Sequence, residues 1–428
     1  MNEITKTEMQ KNKIYLLPFC ILIFAPLAGL KPFAAMATQA EATRAMVALA
    51  AENDPRMMII RGIAYLIALV LFVKRLPGSM HLLLRQLSYL MLGVFTFTSI
   101  FWSSYPLKVF INFGHLMGAG LVLLALVWYF ETRSEYVFHF FAKIVGVFLL
   151  LSIPAILFLP AGVGLDGRWY GVAGNSNTLG MLCVISTWAN TASLFCVRER
   201  NLRLWNWCLL WVTIVMLLGS GSATSIINSM FIVAGLVFLK SLEGNRRPIR
   251  LIKIFFFLCL MIVTFLTVFI VVPDILEAKG FFGLFGRSAT LSGRTKLWAE
   301  AWQLIEARPW LGWSFDSNMS VLKSLGKVGQ FHNGYLDLMV RGGVVGGVLF
   351  ISLVIATAHR ILVVSRVNYR QAIVYAMLVA AILLHNVTEA SFVRETHLLW
   401  VLLLFVYFYL GSTSFSSSVQ LDRGRQYH

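Results

Sequence analysis

Arg287, Arg294 and His332 fall within residues 285–347, the most polar long stretch of a chain that is otherwise mostly apolar. Arginine forks match diphosphate oxygens bidentately and keep their charge in water. A transfer that breaks a sugar–diphosphate bond builds negative charge on the leaving group, which fixed guanidiniums stabilise. The attacking alcohol must lose a proton, and histidine is the side chain whose ordinary pKa suits that near neutrality. Trp298, Ala301, Trp302 and Ile305 recur at helical spacing, which predicts a helix with both indoles on one face. Pro309 ends it, because proline disfavours helical geometry at Arg308 before it. Cations, a histidine and an aromatic helix together predict a site for an anionic, sugar-bearing lipid. The stretch has no Asp-x-Asp pair and no His/Glu cluster of the kind that holds a catalytic metal, so the expected transfer uses no metal and no cofactor.

The elements that position this stretch are membrane spans. The 428 residues are 58% hydrophobic and 13% charged, with a mean hydropathy of +0.77. A soluble domain carries about 25% charged residues. The expected fold is therefore all-α and polytopic. Apolar runs near 14–37, 57–73, 82–102, 109–130, 142–160, 177–196, 205–219, 223–239, 251–273, 335–357, 371–386 and 397–411 read as about twelve transmembrane helices. The domain reading is spans one to nine over 1–273, a large outer loop over 274–334, three further spans over 335–411, and a Ser-rich tail over 412–428 that reads as disordered. The basic residues lie mainly in loops that alternation puts on one side, so both termini are expected in the cytoplasm. The first span reads as an uncleaved anchor, its apolar run being long for a signal peptide. A formal charge of +17 is accounted for by those loops, which excludes nucleic acid as a partner and leaves the lipid bilayer. The five cysteines sit in or beside apolar runs without CxxC spacing and read as inert.

With that topology, polar residues from distant loops converge on the outer face. Residues 166–177 contribute Arg168, Asn175 and Asn177; the turn 220–222 contributes Ser222; the large loop contributes Arg287, Arg294 and His332; and residues 385–394 contribute His385, Glu389 and Arg394. Each has a plainer reading. Arg168 alone is as often a solvated charge. Asn175 and Asn177 lie among turn glycines. Ser220 and Ser222 are small enough simply to pack helices. Trp298 and Trp302 fit an interfacial aromatic belt, and His385 and Glu389, one helical turn apart, fit as partners of each other. Arg61 is expected to snorkel to the outer interface, whereas Arg341, close after His332, is expected to face the site.

Several motifs resemble the O-antigen ligase and polymerase superfamily of bacterial inner-membrane proteins. They are Trp102-Ser103-Ser104-Tyr105-Pro106, residues 171–180, Gly219-Ser220-Gly221-Ser222, Leu291-Ser292-Gly293-Arg294 with Trp298, Arg308-Pro309-Trp310-Leu311-Gly312, His332-Asn333-Gly334-Tyr335-Leu336 and the Gly342/Gly346 pair. The resemblance implies a GT-C-like glycosyltransferase with a largely helical periplasmic loop, acting at the periplasmic face of the inner membrane. It implies an undecaprenyl-diphosphate-linked glycan as donor, and as acceptor another lipid-linked glycan (polymerase) or the lipid A–core (ligase). Chain-length regulators and flippases are the implied protein partners. In that picture His332 and Arg294 are catalytic, and Arg168, Arg287 and Arg294 hold the diphosphate. Asn175, Asn177, Ser222, Trp298, Asn333, Tyr335, Arg341 and Glu389 contact glycan or acceptor. Polymerase-like relatives often carry Gly-His-Lys-Asn where this chain has Gly174-Asn175-Ser176-Asn177, so one cation is missing. The loop around Leu291-Ser292-Gly293-Arg294 and the pair Thr388-Glu389 look closer to the polymerase branch. A flippase would instead carry charges along a central route, where this chain is poor in them, and a scaffold would tolerate loss of Arg294 and His332.

Overall fold

The computed structural model describes residues 55–131, 136–196, 200–241, 291–322, 331–395 and 397–412. In chain order the helices are α1 (Pro55–Lys74), α2 (Leu76–Leu84), α3 (Leu87–Thr98), α4 (Pro106–Phe130), α5 (Val137–Phe158), α6 (Ser176–Cys196), α7 (Arg200–Ser220), α8 (Ala223–Lys240), α9 (Leu291–Ala307), the single turn α10 (Met319–Leu322), α11 (Gly334–Ser365), α12 (Tyr369–His385) and α13 (Leu398–Leu410). Among these residues no strand forms, and one isolated bridge joins Val163 to Trp169. The expected all-helical class is what the described residues show.

Six helices are long and apolar enough to cross a membrane: α4, α5, α6, α7 (over Leu202–Ser220), α8 and α11. A seventh span arises if α2 and α3 count as one, but the pair bends by 83°. The twelve expected spans are thus not what the described residues present. The stretches 14–37 and 251–273 lie outside them, and 371–386 and 397–411 form the shorter apolar helices α12 and α13. The stretch 82–102 breaks at Arg85-Gln86, and the bend is held from α11: the Arg360 guanidinium donates to Gln86 Oε1 (2.6 Å), to the Arg85 carbonyl (2.8 Å) and to the Tyr407 carbonyl. A side chain inserted between turns is a recognised cause of sharp kinks.

The core forms around α13, which is buried along its whole length and packs on α4, α11 and α12. A helix apolar on every side belongs inside a bundle. Trp188 Nε1 of α6 donates to the Val374 carbonyl of α12 (2.9 Å), pinning the two together. Arg61 is 8% exposed, so it does not snorkel out as expected but is buried in the bundle.

The α11 helix is broken at Gly343 (φ 57°, ψ −158°). The break exposes backbone groups that hydrocarbon cannot satisfy, and the loop 309–314 satisfies them. Trp313 and Ser314 N–H donate to the Val340 and Arg341 carbonyls (2.9 and 3.1 Å), while Val344 and Val345 N–H donate to the Pro309 and Trp310 carbonyls (2.8 and 3.1 Å). Backbone lies directly on backbone here, which requires glycine on both sides. A Cβ on Gly312 (φ +65°) would stand 2.5 Å from the Arg341 carbonyl, and one on Gly343 would stand 2.5 Å from that of Trp310. Gly312→Ala is therefore expected to lower the unfolding temperature of the purified protein by several degrees. A left-handed non-glycine residue alone costs about 1–2 kcal/mol, and the backbone must also part; an unchanged unfolding curve would contradict the tight docking.

Candidate active site

The motif at 332–335 is bound to the segment 383–389 residue by residue. Asn333 caps α11, its Oδ1 accepting from the Tyr335 and Leu336 N–H (3.0 and 3.1 Å), and its Nδ2 donates to the Val387 carbonyl (3.1 Å). Gly334 N–H donates to the Asn386 carbonyl (2.7 Å), and a Cβ there would collide with the Asn386 side chain. Tyr335 Oη donates to the Leu383 carbonyl (3.0 Å). His332, held between them, takes a left-handed backbone (φ 49°). Sparsely populated backbone of this kind persists only where the surroundings enforce it.

His332 Nδ1 lies 3.2 Å from Glu389 Oε2, and Asn177 Nδ2 donates to Glu389 Oε1 (3.1 Å). The Glu389 side chain is 12% exposed and that of His332 36%. Three residues from three distant segments thus form one chain, Asn177–Glu389–His332, with the imidazole at its more open end. The plainer reading, a His385–Glu389 side-chain pair, is not the one formed: Glu389 turns to His332, and His385 Nδ1 lies 3.4 Å from Asn228 Nδ2 inside the bundle. Two further loops close around the group. Thr224, at the start of α8, shares a hydrogen bond with Thr388 (2.8 Å). Arg168 Nε donates to the Ser220 carbonyl (3.2 Å) and lies 3.5 Å from Asp166 Oδ2, with its side chain 22% exposed. Burial first, then the Asp166 carboxylate, raises the Tyr170 phenol above its ordinary value, which keeps it a neutral donor in this loop.

Not every expected residue joins. Ser222 is 3% exposed and its hydroxyl pairs with Ser225 (3.0 Å), so it packs α8 against its neighbours rather than meeting a glycan. Arg341 is 2% exposed; it ion-pairs with Asp337 (2.9 Å) and donates to the Phe392 and Val393 carbonyls (2.5 and 2.9 Å), which turns it inward. Asn175 Oδ1 accepts from Thr178 N–H (2.8 Å), the helix-capping role, while the residue remains exposed. Trp298 Nε1 donates to the Phe331 carbonyl (3.1 Å), anchoring α9 beside His332, whereas Trp302 is 56% exposed. Arg294 belongs to the first turns of α9, and Arg287 lies outside the described residues. A cavity of about 260 Å³ opens at Trp102 and residues 308–312, lined by none of the residues expected to act.

The sequence reading missed Asp337, which is fully buried, ion-pairs with Arg341 and accepts at Oδ1 from Arg394 (3.0 Å) and Asn318 (2.7 Å). Its signal was present as an aspartate four residues before an arginine in an apolar run.

Residues 208–351 match a family described as O-antigen ligase. An O-antigen ligase of Pseudomonas aeruginosa strain PAO1 is 27% identical over 139 residues, which is 32% of this chain and 30% of that protein. Over this segment the chain is similar to O-antigen ligases. The match spans less than a third of that relative's length. The O-antigen ligase segment holds α8, α9, the loop 309–314 and His332, whereas Asn177 and Glu389 lie on either side of it. The carboxylate beside His332 is thus supplied from outside the matched segment.

Proposed function

We propose that this protein is a member of the O-antigen ligase and polymerase superfamily and transfers a glycan from undecaprenyl diphosphate to an acceptor sugar hydroxyl at the periplasmic face of the inner membrane. The observation that carries the reading is the Asn177–Glu389–His332 chain at the meeting point of four loops. With Nδ1 donating to the Glu389 carboxylate, the imidazole is oriented and its tautomer set, which assigns proton removal to Nε2. The acceptor O–H gives its proton to Nε2, and its oxygen forms the new bond to the anomeric carbon. The bond from that carbon to the diphosphate breaks, and its electron pair leaves on the lipid diphosphate. Arg168, Arg287 and Arg294 are the cations proposed to balance that charge. The charge balance in this scheme comes from guanidiniums, so the step needs no metal.

Two acceptors suit the scheme. The sequence motifs lean towards a second lipid-linked glycan, which makes the chain a repeat-unit polymerase. The matching family and the Pseudomonas aeruginosa relative are both described as O-antigen ligases, which favours the lipid A–core. A strain lacking the native gene, complemented with wild-type or His332→Ala protein at equal membrane levels, separates them on a gel of the surface polysaccharide. Single repeat units with His332→Ala, where wild type gives a ladder, identify a polymerase. Lipid-linked polymer with a bare core identifies a ligase. A wild-type pattern overturns the catalytic assignment and returns the scaffold or flippase.

A further inference from the structure

Residues 314–320 read Ser314-Phe315-Asp316-Ser317-Asn318-Met319-Ser320. Asp316, Asn318 and Ser320 carry side-chain oxygens at the spacing of the first three ligands of a calcium loop. So short a pattern has no weight alone; what the side chains do gives it weight. Asp316 is 1% exposed, and its Oδ2 accepts from Ser103 Oγ (3.1 Å), from the Ser320 N–H (3.3 Å) and from the Ser320 hydroxyl. Ser314 Oγ donates to Ser103 Oγ (3.0 Å), so four oxygen-bearing side chains from two distant segments form one connected group.

The other carboxylate oxygen, Asp316 Oδ1, is buried and has no hydrogen-bond partner, and among the described residues no lysine or arginine pairs with Asp316. Two residues on, Asn318 is also 1% exposed, and its Oδ1 is likewise buried without a partner while its Nδ2 serves Asp337. Buried polar groups are nearly always satisfied, and buried charges are paired or hold a metal ion. We propose that this loop binds a calcium ion through Asp316 Oδ1, with Asn318 Oδ1 and the Ser320 hydroxyl as neutral oxygen donors and Ser103, whose Oγ already accepts from Ser314 Oγ and the Tyr105 N–H, orienting the carboxylate through Oδ2. Donors that are all hard oxygens select Ca²⁺ over zinc, and an irregular loop suits its flexible coordination better than the strict octahedron of Mg²⁺. A single carboxylate implies weak binding, with a dissociation constant of about 10⁻⁴ to 10⁻³ M, the range of extracellular modules. Such an ion would fix the Asp316 carboxylate, whose Oδ2 accepts from Ser103 and so ties the turn between α3 and α4 to the chain that follows α9. This inference goes beyond the transfer reading and does not depend on it.

The test uses the full-length protein in detergent after EGTA treatment. Thermal unfolding is followed against CaCl₂ from 0.01 to about 10 mM, the window that brackets the expected affinity, with MgCl₂ and NaCl at matched ionic strength. Radioactive calcium in equilibrium dialysis counts bound ions. The expected result is a saturable rise of the unfolding temperature by a few degrees with Ca²⁺. One ion should bind per chain, and Asp316→Asn should lose both effects. Ser320→Ala, which keeps the carboxylate, should bind about tenfold more weakly and stands in if Asp316→Asn does not accumulate. No saturable binding, equal binding by wild type and both variants, or a rise produced equally by NaCl would each overturn the site.

Discussion

In membrane vesicles supplied with donor and acceptor, His332→Ala is expected to slow glycan transfer about 10²–10⁴-fold, the usual worth of a positioned general base. Glu389→Gln should slow it nearly as far. The glutamine keeps the shape but removes the charge that holds Nδ1–H at 3.2 Å and stabilises the imidazolium formed as the proton arrives. The decisive comparison is the double variant. Residues that act as one unit are not additive, so His332→Ala with Glu389→Gln should be no slower than His332→Ala alone. Multiplicative losses would mean that the carboxylate acts elsewhere, for instance on the acceptor. Asn177→Ala removes only the amide on Glu389 Oε1 and should cost less than either. Matched unfolding temperatures across the set are the control, since all three side chains also join loops.

The second large effect concerns folding. Asp337→Ala would leave the guanidiniums of Arg341 and Arg394, with side chains 3% and 19% exposed, facing a site that has lost its anion. Removing one partner of a buried pair costs about 3–5 kcal/mol, against a total stability of about 5–15 kcal/mol. The variant is expected to fail to accumulate in the membrane, or to unfold more than ten degrees early if it does. Replacing the pair together, Asp337→Leu with Arg341→Met, should recover much of the loss, because an apolar pair of similar size is often neutral. The cost reaches the site through the chain: Arg341 also holds the Phe392 and Val393 carbonyls, a few residues past Glu389. A wild-type unfolding curve for Asp337→Ala would show that the arginines are satisfied otherwise.

The positions of most helices were legible because apolar runs and helical periodicity are local properties. The runs near 109–130, 142–160, 177–196 and 223–239 reappear as α4, α5, α6 and α8 within a few residues. The stop before Pro309 was legible for the same reason, since α9 ends at Ala307. The breaks inside the runs were not, because those at Arg85-Gln86 and Gly343 are enforced by groups that arrive from elsewhere: the Arg360 side chain in one case and the 309–314 backbone in the other. The polar pair Arg85-Gln86 and the glycine pair Gly342-Gly343 permit a break in each run, but nothing local requires one.

By itself the sequence determined that this is a helical membrane protein, that its polar chemistry gathers at a few loops, and that His332 and Glu389 belong to that set. Only the tertiary structure decided who meets whom. Glu389 is one turn from His385 along the chain yet bonds His332 across it, because the Asn333 cap and the Gly334 contact lock the two segments together. Arg341 and Ser222 carry the residue types of a binding site, and burial turns them inward to Asp337 and Ser225. Residue type and spacing set what a side chain can do, and hydrogen bonds between distant segments set where it does it.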